Sequence, residues 1–226
     1  MKEKLEYLNK YHKNVCLINE NVDLLDEIPK KWKSILNKTT LDEKIKDTIS
    51  IWEENIFPQL SNTINYLKNN LVNIELIKYG ERYSLLYSIK SKNNRILYYE
   101  GILSNIDINK LKIDWTKVPE AIKRFYENIH NGFFYYASES MGLVPIEGVK
   151  YFGEDEWGIL DELEEDLGIN LETTFATFNS GMGGYVATDL NNCDNDNATV
   201  WFTSSQPTYK MNFWDVVDEW IVIGFE

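Results

Sequence analysis

The stretch VPEAIKRFYENIHNGFFYY, Val118 to Tyr136, changes character twice, and its reading decides the fold. Pro119 suits a helix start, because the N–H it lacks would have no partner in a first turn. Ala121, Ile122, Phe125, Tyr126 and Ile129 then recur at the spacing of one helix side, which predicts an amphipathic helix. Asn131-Gly132 predicts its stop, since both residues tolerate the left-handed conformation found there. FFYYASES predicts a strand next. His130, one of two histidines in the chain, sits at the junction. A catalytic histidine needs a group to orient it and a group to act on. The other histidine, His12, stands in the N-terminal segment near no motif. The expected role of His130 is therefore a capped helix stop, with its imidazole bonded to backbone. Catalysis by His130 with a nearby acid is the alternative.

Upstream, the sequence predicts helices. EKLEYLNKYH is a short amphipathic segment, and Pro29 opens a second through Trp32, Ile35 and Leu36. Thr40 followed by Glu43 is a capping-box pattern. Leu41, Ile45, Ile49, Trp52 and Ile56 follow it at helical spacing, and Pro58 is expected to interrupt them. NIELIKY, RYSLLYSIK and RILYYEGIL then predict a three-stranded antiparallel meander. A polar connection over 105–117 suits a boundary, so residues 1–113 read as a helical and β-meander region and 114–226 as a second unit.

Downstream, EDEWGILDELEEDLG predicts a short, very acidic helix. TTFATF, YVATDL and ATVWFTS predict a second antiparallel meander, and FWDVVDEWIVIGF a closing helix. The fold class expected is α+β, with a central, mostly antiparallel sheet flanked by helices.

Hydrophobic residues make up 43% of the 226-residue chain, enough for a core without disulfides. Cys16 and Cys193 form no metal or redox spacing. The first residues lack the pattern of a secretory signal, and no apolar run is long enough to span a bilayer, so a cytoplasmic protein away from membranes is expected. Charge is uneven. Residues 1–113 carry 18 basic and 15 acidic groups, whereas residues 114–226 carry 5 and 21. A half so acidic repels phosphates, so direct binding of nucleic acid is not expected, and a basic partner would be attracted.

Three further stretches carry candidate chemistry. NSGMGGY lacks the Gly-Lys-Ser/Thr of a phosphate loop and reads as a turn or bulge. NCDNDNAT alternates Asp and Asn like a calcium loop, but Asn197 and Thr203 stand where a glycine and an acid are required. The acidic stretch holds Glu154, Asp155, Glu156, Asp161, Glu162, Glu164, Glu165 and Asp166. Acids packed side by side repel one another and make a poor hydrolytic pair. They read as a solvated face or as a docking surface for a cationic protein, with Asp155, Glu156, Asp161, Glu162 and Glu165 as candidate contacts. No zinc spacing, Ser-His-Asp order or cofactor fingerprint is present, so neither cofactor nor metal is expected and an enzyme is disfavoured.

Taken in order, VPEAIKRFYENIHNGF, GLVPIEGV, the acidic stretch, FATFNSGMGGYVATDL and FWDVVDEW resemble the SUKH superfamily over roughly residues 115–226. The resemblance implies that Pro119, Phe125, Tyr126, His130, Asn131, Gly132, Gly184 and Asp189 shape the fold. It also implies a binding role. Bacterial members are typically immunity proteins that neutralise a cognate polymorphic toxin, often a nuclease, and others are regulatory adaptors. A basic toxin is the partner expected, because a nuclease must hold a polyanion.

Overall fold

The computed structural model describes residues 2–18, 22–103 and 106–226. Among them are six α-helices and one ten-stranded sheet in which every strand pairs antiparallel with its neighbours in sequence order.

Helix α1 (Lys2–Leu8) and the two-residue strand β1 (Cys16–Leu17) come first. Helix α2 (Lys30–Leu36) starts after Pro29. Helix α3 (Leu41–Ile56) carries the expected capping box: the Glu43 N–H donates to Thr40 Oγ1 at 3.3 Å, and the Thr40 N–H donates back to Glu43 Oε2 at 3.3 Å. It buries Ile49, Trp52 and Ile56. Pro58 separates it from α4 (Ser61–Asn70), which has no local side-chain cap. Asp218, only 4% exposed, fills that role from far along the chain, accepting from the N–H groups of Asn62 (2.9 Å) and Thr63 (2.7 Å).

Strands β2 (Leu71–Tyr79), β3 (Arg82–Lys90) and β4 (Ile96–Ile102) form the first meander, with Leu76 opposite Leu85 and Tyr87 opposite Tyr99. Helix α5 (Glu120–Asn128) leads into β5 (Phe133–Tyr135) and β6 (Ser140–Leu143). Then come β7 (Thr174–Asn179), β8 (Gly184–Asp189), β9 (Asn197–Phe202), β10 (Thr208–Asn212) and α6 (Phe213–Phe225). The composition step over 105–117, whose first residue lies outside the described residues, falls between β4 and α5. The sheet continues across it, because β4 pairs with β5 at Tyr99–Tyr135 and Glu100–Phe134. The core is shared too: the Trp52 ring meets Phe125 at 5.7 Å and Phe133 at 4.9 Å.

Two expectations are corrected. The helix stop lies earlier than Asn131-Gly132: α5 ends at Asn128 with Ile129 as its cap. Gly132 does take a positive φ of 98°, but for another reason. A Cβ there would stand 2.9 Å from Pro145 N and 3.0 Å from Leu143 O, so the glycine admits the neighbouring chain. The acidic stretch is not an α-helix. It contains 3-10 turns at Phe152–Glu154 and Gly158–Glu162 in an otherwise irregular strap. Mutual repulsion of its acids, Gly158, and apolar residues such as Trp157 and Ile159 two positions apart oppose a continuous helix.

Alternation along the strands separates two faces. Ile74, Leu76, Leu85, Tyr87, Tyr99, Phe133, Phe178 and Val186 belong to the main core, with Trp52, Leu67, Phe125 and Val217 from the helices. The other, outer face has two smaller clusters. Leu8 of α1 packs with Ile77, Leu86 and Tyr136, and Phe152 beside the strap packs with Ala187 and Trp201.

Candidate functional site

The strap over β7–β9 is held by its apolar side chains. Trp157 stacks on Trp201, with ring centroids 4.4 Å apart and planes 12° from parallel, and its Nε1 donates to the Phe152 carbonyl at 2.8 Å. Ile159, Leu167, Ile169 and Leu171 pack against the same cluster. Backbone closes the loop: the Gly153 N–H donates to the Leu171 carbonyl at 2.9 Å. The Gly168 N–H donates to Tyr209 Oη at 2.9 Å, tying the strap to β10.

With the apolar side chains inward, the acids stand in solvent. Glu154, Asp155, Glu156, Asp161, Glu162, Glu164, Glu165 and Asp166 are all exposed. Glu154 pairs with Lys112 at 3.0 Å, and Asp155 pairs with Lys150 at 2.6 Å. The carboxylate of Asp155 raises the affinity of Lys150 for its proton. Among the described residues, no ion pair engages Glu156, Asp161, Glu162, Glu164, Glu165 or Asp166. The five candidate contact residues therefore lie on one strap, and four of them have no cationic partner among the described residues. Such a surface offers a negative field and acceptor oxygens.

His130, Asn131 and Gly132 sit on the other side of the sheet. His130 is 1% exposed, and its ring stacks on Trp32 at 4.9 Å. Trp52 Nε1 donates to Tyr87 Oη at 3.2 Å, and Tyr87 Oη shares a hydrogen bond with His130 Nε2, 2.7 Å away. Burial, then the Lys31 ammonium, pushes the imidazole down to about 3, against a smaller opposing effect of the Ile102 carbonyl. The ring is neutral at physiological pH. Beside the backbone carbonyl of Ile102, the imidazole ends a Trp52–Tyr87–His130 chain. Sequence reasoning also missed Gly101, where a Cβ would lie 2.5 Å from the His130 ring; a glycine inside RILYYEGIL is the signal that could have shown it.

The remaining candidate residues make structural contacts. Pro119 precedes α5, Phe125 is fully buried, and Tyr126 Oη donates to the Val144 carbonyl at 2.7 Å. Asn131 Nδ2 donates to Glu147 Oε1 at 2.7 Å, while its Oδ1 accepts from the Ile146 N–H at 3.0 Å. Gly184 opens β8, where its N–H donates to Ser180 Oγ at 3.0 Å. Asp189 accepts from Thr173 Oγ1 at 2.7 Å and from the Asn191 N–H at 3.0 Å, fixing the segment that returns from the strap.

Glu100 also escaped sequence reasoning. It is fully buried on the outer face beneath α1, accepting from Tyr79 Oη (2.7 Å) and Ser84 Oγ (2.6 Å), with Arg82 at 3.7 Å. Burial raises its affinity for a proton. Its signal was an acid within an otherwise apolar strand.

Among the described residues no cluster of three or more His, Cys, Asp or Glu side chains is placed to hold a metal ion, and no helix is long and apolar enough to cross a membrane. Comparison with family models, curated proteins and solved structures gives no match.

Proposed function

We propose that the chain is a protein-binding module of SUKH type. On this reading it is an immunity protein that captures a basic cognate toxin through the acidic strap and neutralises it without turnover. The observation that carries this reading is the strap itself: eight exposed acids on a segment anchored by the Trp157–Trp201 stack. An anchored segment loses less conformational freedom on binding than a free one. Its field accelerates the approach of a cationic partner and competes with nucleic acid for a nuclease toxin.

The test pairs the chain with a basic toxin domain, taken from the gene next to its own if one is encoded there. Association is measured against salt for wild type and for Asp155, Glu156, Glu162 and Glu165 changed together to Lys, with the four Gln changes as a milder variant. The Lys variant is expected to associate about tenfold more slowly or worse in low salt, and the Gln variant to fall between. Added salt should narrow the gap as screening approaches about 8 Å. Equal rates and equal protection of cells by the Lys variant would defeat the reading. Capture of a resident cellular protein in place of a toxin would favour the adaptor role.

A further inference from the structure

Between α6 and the segment that leads into α4 lies an open groove of about 560 Å³. Asp215, Glu219, Val222, Ile223 and Glu226 line it from α6, and Pro58 lines it from the other segment. Positions 215, 219, 222 and 226 recur at helical spacing, so these side chains share one side of α6 over roughly 16 Å.

Two features set this side apart from an ordinary solvated face. The first is charge without compensation. α6 contains no basic residue, and none lines the groove. Asp218 is committed to the amides of Asn62 and Thr63, and Glu226 pairs with Lys92. Asp215 and Glu219 are exposed, and no ion pair among the described residues engages either. The second feature is apolar surface among these acids. Ile223, one turn after Glu219, is 53% exposed, and Phe57, next to Pro58, is 58% exposed.

The complementary partner brings cations to Asp215 and Glu219 and an apolar side chain to Ile223. The two acids stand four residues apart, the spacing at which a second helix presents Lys or Arg from successive turns. Nucleic acid and anionic membranes are repelled by the same wall. A second copy of the chain carries a net charge of −13 and is disfavoured for the same reason.

We propose that this groove binds a basic amphipathic helix of a partner protein, its Lys or Arg side chains on Asp215 and Glu219 and an aliphatic residue against Val222 and Ile223. Val217 of α6 belongs to the main core, whereas the strap packs on the outer cluster. The groove and the strap therefore lie on opposite faces of the sheet and can be occupied together. The inference does not depend on the immunity reading.

The probe is a labelled Ala-based peptide of about 15 residues, long enough for a helix of several turns, with Lys at four-residue spacing beside a stripe of Leu. One control has the same composition scrambled so that Lys and Leu share no side, and another has Glu in place of Lys. Fluorescence anisotropy with the full chain in low salt is expected to give saturable binding of the probe at about 100 μM or tighter, with both controls about tenfold weaker. Amide NMR should place the largest shifts at Val222 and Ile223. Glu219→Lys and Ile223→Gln should each weaken binding about fivefold or more, and the four-Lys strap variant should bind as wild type. Both positions are exposed, so both variants should keep the fold; Ile223→Gln decides the matter if Glu219→Lys does not. The proposal is overturned by no saturable binding at about 1 mM, or by unchanged affinity in a folded variant. Equal binding of the scrambled peptide, or loss of binding in the strap variant alone, overturns it as well. So does a dimer in sedimentation that Ile223→Gln breaks, which would assign the face to a second copy.

Discussion

Over β2–β4 the outer face of the sheet is covered by α1, and the charge beneath it, Glu100, is fully buried and held by Tyr79, Ser84 and Arg82. Over β7–β9 the same face is covered by the strap, which turns its acids outward and packs Trp157 on Trp201. A carboxylate taken out of water must be surrounded by donors, and those donors then fix the geometry around it. A carboxylate left in water asks nothing of its neighbours and remains available to a partner. Under the first cover the buried charge is thus tied to donors of β2 and β3, whereas the second cover is held by its apolar side chains and backbone ties, with its acids left in solvent.

The largest effect that tests this contrast is expected at Glu100. Glu100→Ala leaves the hydroxyls of Tyr79 and Ser84 without their acceptor and removes the charge facing Arg82, and should cost about 3 kcal/mol in denaturant unfolding. Glu100→Gln separates charge from shape. Because burial raises the folded-state pKa of Glu100, the folded protein holds that proton over a pH range where the unfolded chain has released it. Wild-type stability from this group is greatest below the unfolded pKa and falls as pH rises toward the folded one. Gln has no such loss, so the stability of the variant relative to wild type should improve from about pH 4 to pH 7. A difference that is flat with pH would place the carboxylate in a better-solvated state than its burial indicates.

A smaller effect is expected at the anchor of the strap. Trp157 is only partly buried, and Trp157→Ala should cost about 1–2 kcal/mol by loss of apolar contact. It should also make the bonds from Leu160 to Leu167 more open to limited proteolysis while those in α1 stay protected. Equal protection of both segments would mean that the backbone ties at Gly153 and Gly168 suffice. The smallest effect is expected from the four-Lys strap variant, whose thermal midpoint should match wild type within error. A clear fall would show that the outward acids support the fold after all.

How much of this could be read in advance varies with the reach of the contacts. The α3 capping box and the β2–β4 meander depend on residues close in sequence, and both stand as expected. At the junction between the two meanders β5 stands where FFYYASES is read as a strand, but β6 and the pairing of the two could not be read, because they are only three and four residues long and their pairing is irregular. β1 and β10 were also missed. β10 is TYKMN, with little buried side chain, and Lys210 breaks its extended course at φ 59°. The acids of the strap were legible as a cluster. Their setting was not, since the stack that holds them joins residues from distant positions, and acids next to leucines imitate a helix. Trp32 and His130 likewise meet only through the fold, and no local pattern links them.

The helix start at Asn62 and Thr63 has a consequence for the order in which the molecule can be made. The oxygens that receive those two amides belong to Asp218, and Thr63 precedes it by 155 residues. A ribosome delivers α4 long before it delivers α6. During that interval the first turn of α4 has only water to satisfy it, and the nascent chain is expected to keep that end frayed until synthesis has passed Asp218.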